Sequence, residues 1–232
     1  MTLYMMKKIL AASISAALLG LPAAAPAQDA ETETVEQAPA SAAQYSINYD
    51  VTADPDNVWL LDLSNGERVA IRLMPVWAAN HVERIKTLTR TGFYDGVIFH
   101  RVIDGFMAQG GDPTGTGQGG SAMPDLEEEF NSRPHIRGTV SMARATDENS
   151  ANSQFFIVFY PRFSLDKRYT NFGRVISNMD GVDTITRGEP PANPTRILQA
   201  SIASDNKPQL FPQPEATVEE EITADLLSAP LN

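Results

Sequence analysis

Arg101 and Gln109 are the pair in this chain whose side chains, a cation and an amide, are suited to chemistry, and the chain is organised around the stretch that carries them. They stand in Phe99-His100-Arg101-Val102-Ile103-Asp104-Gly105-Phe106-Met107-Ala108-Gln109-Gly110-Gly111-Asp112. Two short apolar runs flank Asp-Gly, the dipeptide that most strongly marks a tight turn between antiparallel strands. A two-residue turn sets His100 opposite Gln109. A three-residue turn over 104–106 sets Arg101 opposite Gln109 and Ile103 opposite Met107, and it is the register adopted here. Directly opposed residues share a face, so a cation, an amide and a flexible apolar side chain gather on one surface, with Phe106 at the bend. Taken singly, Arg101 reads as a rim salt bridge and Phe106 and Met107 as ordinary core. For any one of them without further context, that plain reading is the better one.

Other chemistries find little support. His81, His100 and His135 lack the helical spacing of a metal site, no Asp/Glu pattern resembles a calcium loop, and no G-x-S-x-G elbow occurs. His100, inside an apolar run, reads as a satisfied, half-buried structural residue. Gly115, Gly117 and Gly120 fit G-x-G-x-x-G, but a dinucleotide loop needs a helix directly after it. Ser121-Ala122-Met123-Pro124 follows instead. The six glycines between 110 and 120 therefore read as a compact surface loop.

The elements that must position Arg101 and Gln109 are mostly short strands. Residues 58–63 and 68–73 flank Asn65-Gly66 as a hairpin. Asn80 and Glu83 form a capping box, and Val82, Ile85 and Leu88 make a helical stripe that Gly92 stops. Strands are predicted over 138–143, 154–159, 171–176 and 196–202, and a short helix over 179–186 capped by Asn178. Many strands with two helices indicate an all-β sandwich or barrel.

The run 99–112 closely resembles the central motif of the cyclophilin-type peptidyl-prolyl cis/trans isomerases. Ser141-Met142-Ala143-Arg144, leading to Ser153-Gln154-Phe155-Phe156-Ile157, resembles that family's other active-site block. Asn171-Phe172-Gly173-Arg174-Val175 follows at the expected distance. The resemblance spans about residues 57–202. It implies a closed eight-stranded antiparallel β-barrel with a helix over each end. It also implies a monomer that needs no cofactor and acts on proline-containing peptides and unfolded or partly folded proteins. By resemblance, Arg101 and Gln109 are catalytic, and Phe106, Met107, Phe156 and Leu165 line a proline pocket. Arg144 binds substrate through its backbone, and Ala143 and Gln154 border the neighbouring subsite. The chain departs from the family pattern in four places. One extra residue lies within 144–152, and Arg144 stands where eukaryotic members usually have Asn. Tyr169 replaces a pocket His, keeping an aromatic wall, and Phe163-Ser164-Leu165 occupies a segment where a Trp is common.

An X–Pro bond turns slowly because its partial double bond must be broken, a barrier of roughly 18–20 kcal/mol. No covalent step, acid or metal is required. The twisted state localises a lone pair on the prolyl nitrogen, so a fixed guanidinium bonded there stabilises the transition state selectively. One charged hydrogen bond contributes roughly 1.5–3 kcal/mol, whereas a gain of about 10⁵-fold needs roughly 7 kcal/mol. The remainder falls to the apolar grip on the proline ring, exclusion of water and one-sided hold on the backbone. The runner-up reading is a non-catalytic cyclophilin-like peptide-binding chaperone or scaffold, which would have no need of the cation.

The ends of the chain read differently from its body. Lys7 and Lys8 precede an apolar run over 9–21, too short for a membrane span, and Ala25-Pro26-Ala27 matches a signal peptidase site. Residues 28–54 hold six acids and no base, and residues 205–232 hold six acids and one lysine, so these segments carry −6 and −5; of the −13 left once Lys7 and Lys8 are set aside, the body between them carries only −2. The domains expected are a signal peptide over 1–27, an acidic linker over 28–54, the isomerase domain over 55–204 and an acidic tail over 205–232. Thr217 and Glu220 make a further capping box in the tail. With its net charge concentrated at acidic ends, the chain lacks the cation cluster that nucleic acid requires. It has no cysteine for a disulfide, a thiolate site or a lipid anchor. The reading is an exported, periplasmic protein with no membrane span once the signal is removed. N-terminal sequencing of exported material is expected to begin at Gln28; a start within the apolar run or at Met1 would contradict this.

Overall fold

The computed structural model describes residues 46–211, all within one compact unit. The signal segment and the Thr217 capping box lie outside them. Eight strands form one sheet: β1 (Val58–Leu63), β2 (Arg68–Leu73), β3 (Arg101–Ile103), β4 (Met107–Gly110), β5 (Thr139–Met142), β6 (Phe155–Val158), β7 (Asn171–Ser177) and β8 (Ile197–Ile202). Two helices accompany them, α1 (Ala79–Arg90) and α2 (Met179–Asp183). The order across the sheet is β3-β4-β6-β5-β7-β2-β1-β8, with every pairing antiparallel. Among the described residues no helix is long and apolar enough to cross a membrane.

The expected closed barrel is not formed; the sheet is an open, curled half-barrel with edges at β3 and β8. The reason lies in what each edge already meets. β3 is only three residues long, and its central Val102 exchanges both backbone hydrogen bonds with Gly188, at 2.8 and 2.9 Å. The start of β8 is met by residues ahead of β3, through the Ile98–Arg196 bridge and the Ile197 N–H to Val97 carbonyl bond. No β3–β8 ladder remains to be made.

The concave side holds the main core. Trp59, Tyr94, Phe99 and Phe155 pack edge to face or tilted, with ring centroids 4.8 to 6.1 Å apart. The stripe of α1 joins them, Val82, Ile85 and Leu88 being buried as their spacing predicts. A second, smaller cluster of Met107, Phe156 and Val158 lies apart from it, with Ile103, Phe106, Ala143, Leu165 and Tyr169 packed around.

The start of α1 departs from its sequence reading. The N-cap is Ala78, which makes no side-chain cap bond, and the Asn80–Glu83 box is absent. The orphan N–H groups of Asn80 and His81 instead donate to the Glu129 carboxylate, 49 and 48 residues distant, at 3.2 and 3.0 Å. His81 Nδ1 adds a 2.6 Å bond to the same group. A local cap was thus displaced by an anion from another loop, whose charge suits the positive helix end. At α2 the local signal holds: Asn178 accepts from Gly181 N–H at 2.9 Å.

Two flanks that composition groups with the acidic segments are bonded to the sheet. Arg72, 3% exposed on β2, donates to the carbonyls of Asn48, Asp54 and Asp50 at 3.1, 3.0 and 2.6 Å. Asp62 of β1 accepts from Leu210 N–H at 2.8 Å.

Replacing the distant cap, Glu129→Ala, is expected to cost about 1–3 kcal/mol, since two backbone donors and a buried histidine lose their acceptor. Asn80→Ala is expected to stay within about 0.5 kcal/mol. Urea unfolding of both variants checks this; the reverse order would restore the local box.

Candidate active site

The register of β3, β4, β6 and β5 sets the site in one row. Arg101 faces Gln109, Gln109 faces Phe156, and Phe156 faces Ser141. The next row is Ile103, Met107 and Val158. The three-residue turn is therefore formed as read, with Phe106 N–H closing on the Ile103 carbonyl at 3.1 Å. Opposed residues share a face, so the cation, the amide and the pocket floor are neighbours by backbone geometry alone.

A cavity of about 290 Å³ opens over this row, lined by Arg101, Phe106, Met107, Gln109, Ala143, Arg144, Phe156, Leu165 and Tyr169. Gln154 lies outside it, in an adjoining cavity of about 480 Å³ that shares Gln109, Ala143 and Arg144. The amides bridge the two. Gln109 accepts from Arg101 Nη1 at 3.5 Å and donates to Gln154 Oε1 at 3.0 Å. Gln154 then donates to the Gly117 and Gly119 carbonyls at 3.1 and 2.8 Å. Gln109 therefore stands between Arg101 and Gln154, touching the guanidinium only through a long bond.

Arg144 reaches the cavity edge, yet its guanidinium is turned onto the protein. It donates to the carbonyls of Arg168, Ala145 and Thr146 and lies 4.8 Å from the Tyr169 ring centre. It fastens the loop that carries the extra residue to the aromatic wall, a contact that spacing along the chain does not reveal. Phe106 is backed in the same manner by Arg162, 5.2 Å from its ring centre.

The glycine-rich loop is organised around Asp112. The Asp112 carboxylate accepts from the N–H groups of Thr114, Gly117 and Gly119 at 2.7, 2.6 and 3.1 Å, and from the Thr114 hydroxyl. The donors that would have to face a phosphate are spent on it. Burial raises the Asp112 carboxyl, but the bonds from Thr114, Gly119 and Gly117 outweigh it and hold it at about 2. A Cβ at Gly119 would lie 2.1 Å from Asp112 Oδ1, so only glycine fits there.

Beneath Phe156 runs a chain that resembles a nucleophilic triad and cannot act as one. His135 Nδ1 is 2.8 Å from Asp166, and its Nε2 is 2.9 Å from the Ser141 hydroxyl. Ser141 is 0% exposed, beyond the reach of any substrate. The His135 ring stacks under Phe156 at 6.2 Å and 20°, so the chain supports the pocket floor. Burial lowers the His135 pKa against the pull of Asp166. The neutral ring donates from Nδ1 and accepts the Ser141 hydroxyl proton at Nε2. His100 differs from its sequence reading: it is 5% exposed and neither ring nitrogen has a partner. Its ring lies beside Gly117, where an added Cβ would come within 3.5 Å of it. Among the described residues no group of three His, Cys, Asp or Glu is placed to hold a metal ion.

Sequence reasoning missed Glu189, which meets Arg101 Nε at 2.7 Å. It lies 88 residues away in a loop with no motif, so no local signal could have found it.

A small apolar pocket on the outside of an antiparallel half-barrel, with one guanidinium at its edge, defines a site for non-covalent work on a bound chain. Residues 60–202 match the family described as cyclophilin type peptidyl-prolyl cis-trans isomerase/CLD. A Brucella suis protein named "Probable peptidyl-prolyl cis-trans isomerase" is 47% identical over 171 residues, covering 67% of this chain and 87% of its own. Peptidyl-prolyl cis-trans isomerase B of Bacillus subtilis is 40% identical over 128 residues, covering 55% of this chain and 89% of its own. Among solved structures, cyclophilin AquaCyp293 from Hirschia baltica shows 32% identity and a TM-score of 0.61, over 67% of this chain and 77% of its own. A Cryptosporidium parvum cyclophilin crystallised in the presence of the dipeptide Ala-Pro shows 28% identity and a TM-score of 0.58, over 62% of this chain and 98% of its own. The chain belongs to the cyclophilin-type peptidyl-prolyl cis-trans isomerases. Its reaction is rotation about X–Pro bonds.

The three buried histidines make stability pH-dependent. Burial lowers His81, His100 and His135 below the ordinary 6.5. As pH falls through 6.5 the unfolded chain binds protons that the folded chain refuses, so stability must fall with it. Urea midpoints measured at pH 7.5, 6.5 and 5.5 are expected to decline in that order. A flat profile would show that these rings are not held neutral.

Proposed function

We propose that X–Pro isomerisation here runs on Arg101, with a proline held against Phe106, Met107, Phe156 and Leu165. One observation carries this reading. The guanidinium and the amide of Gln109 stand directly opposed at the edge of a cavity floored by apolar side chains. Arginine suits the role because it stays protonated and presents planar donors. As the bond twists, the prolyl nitrogen gains a localised lone pair, which an Arg101 N–H meets. The planar ground state offers no such acceptor, so the bond acts on the barrier. The pocket fixes the ring while the preceding residue turns, and the adjoining cavity at Gln154 takes the chain on that side.

We further propose that the substrates are proline-containing segments of other proteins, met in the periplasm after export, where the protein assists folding. The Ala-Pro dipeptide used with the Cryptosporidium parvum cyclophilin supports the ligand class. The charged, apolar and small-residue pattern of residues 7–27 supports the location.

Arg101→Ala is expected to lower kcat/KM on a short proline peptide by about a hundredfold, roughly 2.7 kcal/mol, with the fold intact by circular dichroism. Near-normal activity in the folded variant would overturn the mechanism and leave a binding groove.

A further inference from the structure

Arg101 is held mainly by a group outside the pocket. Its side chain is 41% exposed, and a long flexible arm so placed has many rotamers to lose. The bond from Nη1 to Gln109, at 3.5 Å, is at the outer limit of a hydrogen bond and cannot hold it alone. The short contact is Nε to Glu189 Oε2 at 2.7 Å, a charge-assisted bond. Among the described residues these are the two side chains bonded to the Arg101 guanidinium.

Glu189 is itself carried at a fixed place. Its neighbour Gly188 bonds Val102 in both directions, and Val102 follows Arg101 in β3. At Gly188 the backbone has φ +144, and a Cβ would come within 2.5 Å of Pro191 Cα. Only glycine lets this loop lie against the edge of the strand. The acid is thus registered to the cation through two backbone bonds one residue away.

We propose that Glu189 is a positioning residue for isomerisation, holding Arg101 at Nε so that its other donors face Gln109 and the twisting prolyl nitrogen. A guanidinium carries five N–H donors in one plane. Anchoring Nε fixes the rotation of that plane about the last side-chain bonds. One Nη then reaches Gln109, and the remaining donors point over the pocket floor. An exposed ion pair of this kind adds little to folding, so its effect is on geometry at the barrier. The proposal rests on Arg101 being the catalytic cation.

The test compares the full-length protein with Glu189→Ala, Glu189→Gln, Arg101→Ala and Arg101→Ala combined with Glu189→Ala, on an uncharged proline peptide. Glu189→Ala is expected to lose about tenfold in kcat with KM within about twofold, and to melt within about 2 °C of wild type. Glu189→Gln, which keeps an acceptor oxygen, is expected within about threefold of wild type. In the Arg101→Ala background, Glu189→Ala is expected to cost nothing further. Unchanged kcat in Glu189→Ala beside a crippled Arg101→Ala would overturn the positioning role alone. An equal loss in both backgrounds, or a Glu189→Gln as impaired as Glu189→Ala, would overturn it also. Full activity in Arg101→Ala would overturn the catalytic reading and this one with it.

Discussion

The antiparallel register across β3, β4, β6 and β5 is the constraint on which the site depends. It places Arg101, Gln109, Phe156 and Ser141 in one row, and Ile103, Met107 and Val158 in the next. Side chains alternate faces with period two, so a slip of one residue would turn Arg101 into the core and Val102 out to solvent. Burial forbids that slip. Val102 and Ala108 are packed in the main core, and exposing them would forfeit that contact while burying an unpaired guanidinium. The same hydrophobic pattern that folds the sheet therefore aims the cation.

What the sheet cannot position, buried and half-buried polar groups do. Arg84 of α1 donates to the carbonyls of Asn152 and Pro124, joining two loops beside the adjoining cavity. Asp112 gathers the glycine-rich loop, Arg144 ties residues 145, 146 and 168 to the Tyr169 wall, and Asp166 with His135 supports Phe156 from below. Each is a charged or polar side chain satisfied mainly by backbone or by one fixed partner. That is the condition under which burying such a group is tolerated. Rotation about an X–Pro bond is sensitive to how closely the bound chain is held, which such fastening serves.

The divided charge of the chain fits this arrangement. With Lys7 and Lys8 set aside, the two end segments carry −6 and −5 and the working domain only −2, so that domain is close to neutral. A proline pocket that recognises shape gains nothing from a strong field, whereas acidic ends favour solubility.

Several features were legible in the sequence because they depend on near neighbours. The strands at 58–63 and 68–73, the stripe of α1, the Asn178 cap and the three-residue turn that sets Arg101 against Gln109 follow from alternation, helical spacing and turn chemistry. Three family-like blocks in order carried the pocket residues. Other features were decided only in three dimensions. Glu129 took the cap that Asn80 was expected to supply, and Val102 met Gly188 where a closing strand was expected. His100 was left without a partner, Arg144 turned its charge onto the protein, and Glu189 arrived beside Arg101. The reason is common to all of them. Periodicity records which face of an element is buried, but hydrogen bonds between charged groups and distant backbone depend on where the loops end up. A loop's path is set by the packing of everything it connects.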